Sequence, residues 1–84
     1  VMKPAYLFVR AQASLMQNRL DEAEKYCLEA ERQMTDPAVK QAIAPDYNEI
    51  AYKIHLCRSG LAYRRGSLAD AVHFAQQAQQ TIPE

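Results

Sequence analysis

The chain lacks several features that would place it in a particular class of protein. Only two of its 84 residues are glycine, Gly60 and Gly66, so no glycine-rich loop can surround a phosphate group. Ten basic residues balance ten acidic ones, and a net charge of zero is not the electrostatic footprint of a nucleic-acid-binding domain. No run of about 18 apolar residues occurs, so the sequence predicts no membrane span. The opening VMKPAYLFVR passes directly into a helical pattern, unlike a signal peptide.

Cysteine is scarce as well, with only Cys27 and Cys57. Each lies in a helical pattern, where a free cysteine behaves as a small buried hydrophobe. We therefore expect two thiols in the core, with a disulfide between them as the alternative, and a cytoplasmic protein. Because the chain begins with Val1 and not with methionine, we also expect it to be a piece of a longer protein.

The main feature that the sequence does contain is helical periodicity. Two windows repeat apolar residues every 3.6 positions with polar residues opposite, as surface helices do. The stripes are Leu20, Ala23, Cys27, Ala30 and Met34 in the first window, and Leu68, Ala71, Ala75, Ala78 and Ile82 in the second. The preceding segments, at about 5–16 and 47–63, are apolar on two faces, which is typical of helices that lie between neighbours. The predicted order is inner, outer, inner, outer helix.

Short turns join the two helices of each predicted pair. Asn18 and Gly66 tolerate positive φ and can end a helix, and Ser67 is placed to cap the next one. Loops of two or three residues force antiparallel neighbours. The sequence therefore predicts an all-α chain of two antiparallel helical hairpins in a single region, 1–84, with hairpins at about 4–34 and 46–82.

The predicted linker, 35–45, separates the two hairpins. Asp36 followed by Pro37 is a plausible helix start, so the linker can hold one or two short turns. Pro45 makes a continuous helix into the second hairpin unfavourable.

An internal repeat supports this organisation. A shift of 48 residues places several residues on similar ones. The aligned pairs are Arg10 with Arg58, Asn18 with Gly66, Leu20 with Leu68, Ala23 with Ala71, Tyr26 with Phe74, and Ala30 with Ala78. The alanines suit positions where helices cross closely, and we expect both leucines to enter the core.

The segments NRLDEAEKYCLEA and GSLADAVHFAQQA resemble the turn and second helix of tetratricopeptide (TPR) repeats. That pattern reads glycine, one residue, a large apolar residue, two residues and alanine, with a second alanine seven residues later. The resemblance implies a right-handed solenoid of stacked hairpins. The period of 48 exceeds the usual one of about 34, and the inner helices lack the usual aromatic residue and leucine, which indicates a divergent member with longer repeats.

The segment NEIAYKIHLCRSGLAYRRGSLADAVHFAQQAQQTIPE is similar to repeats in the helical arm of MalT-like, LuxR-type bacterial transcription activators. The resemblance implies a signal-sensing arm between an ATP-binding domain and a DNA-binding domain, where an inducer or inhibitory protein biases oligomerisation. The alternative function is a free-standing TPR adaptor that holds peptide tails or subunits together. A helical-bundle enzyme is a third, more distant hypothesis.

No set of residues is spaced for catalysis or metal binding. His55 and Cys57 project about 200° apart on a helix, so they cannot readily share a metal. His73 lies on the polar side of its helix. The carboxylates of the first outer helix alternate with Lys25 and Arg32, as on a solvated face. We expect no catalytic residue, no metal and no cofactor.

The inner helices combine basic and apolar side chains. The inner helices carry one acidic residue, Glu49, and six basic ones. The basic residues are Lys3, Arg10, Lys53, Arg58, Arg64 and Arg65. In TPR-like arrays the inner helices line a concave surface. The resemblance places eight residues there, which we call the trough: Phe8, Gln12, Leu15, Met16, Lys53, Leu56, Tyr63 and Arg64.

An aromatic, mildly basic trough suits an acidic protein or peptide segment, a small anionic inducer, or a sugar. The alternative is that these residues pack against neighbouring repeats. Because two hairpins leave the ends of their stack uncovered, we also expect self-association, and no nucleic-acid or membrane partner.

Overall fold

The computed structural model describes residues 3–81, and this part of the chain is helical without any strand. Five helices follow one another between residues 3 and 81: α1 (Pro4–Met16), α2 (Leu20–Met34), α3 (Pro37–Ile43), α4 (Tyr47–Arg64) and α5 (Leu68–Gln80). The all-α prediction is thus confirmed. The expected end of the second hairpin, at Ile82, lies outside the described residues. Between residues 3 and 81, no helix combines the length and the apolar character that a membrane crossing requires.

Local signals explain where several helices begin. Pro4 and Pro37 occupy the first turns of α1 and α3, where a missing N–H costs nothing. Asp36 caps α3, since its carboxylate accepts a hydrogen bond of 2.9 Å from the N–H of Ala38. Ser67 stands at the N-cap of α5, but its hydroxyl donates to the Asp70 carboxylate at 2.8 Å. The side-chain cap expected from Ser67 is therefore not formed.

The α1–α2 and α4–α5 connections share one turn geometry. Asn18 has φ of 59° and Gly66 has φ of 81°. In each turn the N–H of the following residue donates to the carbonyl oxygen five residues back, at 2.8 Å after Asn18 and 2.9 Å after Gly66. These bonds form a Schellman motif, which satisfies carbonyl groups at the end of the first helix. Asn18 and Gly66 thus occupy equivalent turns, as the 48-residue shift predicts.

Helix α4 is the central element of the packing. It lies against α5, and it also contacts both α1 and α2, which pack against each other; α3 contacts α2. Two buried apolar clusters form at these contacts. The first contains Leu7, Ala30, Met34, Ala51 and Ile54, and the second contains Ala11, Cys27 and Cys57.

The small residues of the repeat lie where the sequence predicts. Ala23, Ala30, Ala71 and Ala78 are all buried, which allows close helix contacts. The expectation that both leucines enter the core is wrong for Leu68, which is 65% exposed at the first turn of α5, whereas Leu20 is partly buried.

Candidate partner-binding groove

Residues of α1 and α4 line a cavity of about 190 Å³, which we call the α1–α4 groove. Its walls are Phe8, Gln12, Leu15, Lys53, Leu56 and Cys57. Five of these six residues belong to the predicted trough. Cys57 is the one that the sequence reasoning did not include, although it lies one helical turn beyond Lys53 and so faces the same side.

Helical spacing places these side chains on facing surfaces. Phe8, Gln12 and Leu15 are spaced by four and three residues along α1, and therefore share one face. One turn beyond the groove, Gly60 of α4 lies against α1. A Cβ atom at Gly60 would lie 3.4 Å from Cδ2 of Leu15. Helices α1 and α4 therefore approach each other closely at this end of the groove.

The groove has apolar walls and few polar groups. Phe8 and Leu15 are partly buried and pack against the core clusters, whereas Leu56 is 43% exposed. The Lys53 ammonium lies 3.4 Å from the Glu49 carboxylate, and both side chains are about half exposed. Such an exposed ion pair contributes little, about 0–1 kcal/mol, so Lys53 can exchange this carboxylate for another.

The other three trough residues do not line the groove. Met16 and Tyr63 are 75% and 69% exposed, near the C-terminal ends of α1 and α4. The Arg64 guanidinium donates a hydrogen bond of 2.5 Å to the main-chain carbonyl of Leu15 and so ties these two ends together. The trough is therefore divided into a groove and a separate exposed end.

Most of the arginines of the inner helices contact partners within the fold and not the groove. Arg58 extends from α4 between α2 and α5: its Nη1 lies 2.7 Å from Oε1 of Glu31, and its guanidinium lies 4.4 Å from the ring centroid of Phe74. Arg10 is the residue 48 positions earlier. Its guanidinium lies 5.3 Å from the ring centroid of Tyr26 and donates a hydrogen bond of 3.1 Å to the Tyr26 hydroxyl. Of the basic side chains expected in the trough, Lys53 is the one that lines the groove.

Cys57 separates the groove from the core. Cys27 and Cys57 are both free and buried, and they share a cluster with Ala11. The two core thiols are therefore as predicted. The hydrogen bond between the thiols lowers the pKa of Cys57, with help from the nearby Arg58 guanidinium, and together with burial it raises the pKa of Cys27.

A second cavity, of about 220 Å³, lies between the C-terminal part of α2 and the first half of α4. The imidazole of His55 lines it, and the Nδ1 atom is buried with no hydrogen-bond partner among the described residues. Burial lowers the pKa of His55, while Glu31 opposes and Arg58 assists this shift. Within residues 3–81, no three His, Cys, Asp or Glu side chains come together in a way that could hold a metal ion.

No family model, characterised protein or solved structure matches the chain.

Proposed function

We propose that the chain is a non-catalytic binding module in which two antiparallel hairpins, α1–α2 and α4–α5, stack as part of a right-handed TPR-like solenoid. The equivalent turns at Asn18 and Gly66 and the buried alanines support this arrangement. So does the arginine that stacks on an aromatic ring at the same place in each pair, Arg10 on Tyr26 and Arg58 on Phe74.

The α1–α4 groove is the proposed binding site, and its ligand is a peptide segment that carries an apolar side chain next to an acidic one. The observation that carries this proposal is that five of the eight residues that the TPR resemblance places in the trough line one cavity. At about 190 Å³ the groove is smaller than the pockets of about 300–1,000 Å³ that enclose small molecules. It therefore suits one side chain of a peptide better than a whole metabolite or sugar.

Each wall of the groove has a role in this proposal. An apolar side chain of the peptide packs between Phe8, Leu15 and Leu56. A carboxylate of the peptide replaces Glu49 as the partner of Lys53, and the Gln12 amide is available to the peptide backbone.

In the parent protein, the module would serve in the cytoplasm as part of the sensing arm of a MalT-like, LuxR-type regulator. The motifs in residues 48–84 support that assignment over a free-standing adaptor. Flanking sequence distinguishes the two hypotheses, since the regulator requires a phosphate-binding loop upstream and a DNA-recognition helix downstream.

Binding to the groove can be tested with a fluorescein-labelled peptide in which leucine alternates with glutamate. We expect Leu56→Ala and Lys53→Glu each to weaken binding about tenfold, which corresponds to about 1.4 kcal/mol. Lys25→Glu is the matched control, because it makes the same change of charge at an exposed position on α2. Equal affinities for the wild type, Lys53→Glu and Leu56→Ala would refute the groove as the binding site.

A further inference from the structure

One face of α1 carries exposed apolar residues, whereas the residues 48 positions later, on α4, are buried. Ile54 and Cys57 of α4 are only 2% and 6% exposed, because they pack against residues of α1 and α2. The residues 48 positions earlier are Tyr6 and Val9, which are 48% and 58% exposed. The α1 face therefore repeats the apolar surface by which α4 packs onto the first helix pair, but nothing within residues 3–81 covers it.

The second face lies on α4 and shows the reverse relation. Phe8 and Leu15 of α1 are partly buried against the core clusters that α4 completes. Their counterparts 48 residues later are Leu56 and Tyr63, which are 43% and 69% exposed. The outer face of α4 thus repeats the α1 surface that α4 itself covers.

We propose that copies of this chain associate head to tail, with the α1 face of one copy (Tyr6, Val9, Met16) seated on the α4 face of another (Leu56, Tyr63). The joint repeats the contact that α4 makes with α1 and α2 inside one chain. The proposal rests on the repeat of the proposed function, but it does not depend on any ligand of the groove.

A second copy is the occupant that the surfaces favour, since one chain carries both halves of the joint. Because the two faces differ, the contact is heterologous, and each added copy leaves one free face at either end. Association therefore continues beyond a dimer as the concentration rises.

The contact between copies lacks an ion pair that the corresponding contact within one chain, between α4 and the α1–α2 pair, contains. Inside the chain, Arg58 bonds to Glu31 across α4 and α2 at 2.7 Å. At the contact between copies, Arg10 of one copy takes the place of Arg58, and Gln79 of the other takes the place of Glu31. Both side chains are exposed within one chain. An arginine that faces an amide makes a weaker contact than one that faces a carboxylate, so we expect association to be weak and to depend on concentration.

Two interface variants test the direction of assembly by sedimentation velocity. Val9→Glu places a charge on the α1 face, and Tyr63→Glu places one on the α4 face; both sites are exposed, so the fold should persist by circular dichroism. We expect each variant alone to be monomeric at concentrations where the wild type forms dimers and larger species. Mixed together they should form a 1:1 dimer, because each retains the face that the other lacks. A symmetric dimer in either variant alone, or a wild type that stays monomeric at every concentration, would overturn the proposal.

A gain-of-association variant provides an independent test. Gln79→Glu supplies the counterpart of Glu31 opposite Arg10 and should strengthen association severalfold, with the gain lost at high salt. Gln80→Glu is the control, since it adds the same charge on a different side of α5. An equal effect of both substitutions would contradict the proposed alignment of the copies.

Failure of this proposal can be distinguished from failure of the proposed function. Val9 does not line the α1–α4 groove, so Val9→Glu should bind the test peptide as the wild type does at concentrations where the wild type is monomeric. If the chain binds the peptide but never self-associates, the groove remains the proposed binding site and the head-to-tail contact is refuted.

Discussion

The contribution of Arg58 to stability can be predicted from its surroundings. Its side chain is 15% exposed, and it meets both the Glu31 carboxylate and the Phe74 ring. Arg58→Met keeps most of the aliphatic stem but removes the charge. A cation–π contact that is largely shielded from water contributes about 1–2 kcal/mol. The ion pair adds about 1 kcal/mol, because Glu31 is 35% exposed and can be hydrated again once its partner is gone. We therefore expect Arg58→Met to cost about 2–3 kcal/mol.

The repeat supplies a matched control for this prediction. Arg10 occupies the equivalent position and stacks on Tyr26, but it is exposed, and its hydrogen bond is to a hydroxyl group instead of a carboxylate. Arg10→Met should therefore destabilise the chain less than Arg58→Met. Urea unfolding followed by circular dichroism gives both free energies. In thermal unfolding, a cost of 2–3 kcal/mol lowers Tm by roughly 10–20 °C for a domain of this size.

A double-mutant cycle separates the ion pair from the ring contact. Combining Arg58→Met with Glu31→Gln should reveal a coupling energy of about 1 kcal/mol between the two side chains. Equal costs for Arg58→Met and Arg10→Met, or a cycle without coupling, would contradict the roles assigned to Glu31 and Phe74.

Four further substitutions test the packing and the pH dependence. Gly60→Ala should raise the free energy of unfolding by up to about 1 kcal/mol, since its Cβ meets Leu15 at an ordinary contact distance and alanine favours the helix. Gly66→Ala should lower it by about 1–2 kcal/mol, because φ is positive there. Ala71→Leu should cost about 1–3 kcal/mol by overpacking the α4–α5 contact, and an unchanged Tm would argue against close packing at that site. His55 has a folded-state pKa below its ordinary value of 6.5, so the unfolded chain takes up its proton first and stability is lost as the pH falls below about 6.5. His55→Gln should flatten this loss of Tm with falling pH, and a slope identical to that of the wild type would count against a lowered pKa for the partly buried imidazole.

The features that the sequence predicted correctly depend on neighbouring residues. Positive φ at Asn18 and Gly66 follows from the residue type at that position, and the start of α3 follows from the adjacent Asp36 and Pro37. The spacing of Phe8, Gln12 and Leu15 fixes which way they face, whatever lies opposite. These local features could therefore be predicted from the chain alone, whereas the assignment of this face to the trough depended on the TPR resemblance.

Features that depend on distant contacts were beyond such reasoning. A charge count gives the inner helices a basic surface, but the fold brings Glu31 against Arg58 from 27 residues away. Periodicity places Leu68 on the apolar stripe of α5, yet it cannot show that this end of the helix is exposed. Tyr63 shares a face with Leu56, but it lies two turns beyond it and outside the groove, because the groove is limited by where α1 and α4 approach each other.

The length of the repeat can also be explained by the position of α3. The period of 48 residues exceeds the usual one of about 34, and the segment between α2 and α4, which contains α3, accounts for most of the difference. Its end is tied to the core, where Ile43 packs on the first cluster and the Tyr47 hydroxyl donates to the Met34 carbonyl at 3.3 Å. Helix α3 itself contacts α2, whereas only α1 and α4 line the groove. The additional residues are therefore accommodated away from the groove. In the proposed TPR-like array, each pair of successive inner helices would form one groove, and we would expect the number of peptide side chains bound to increase with the number of repeats.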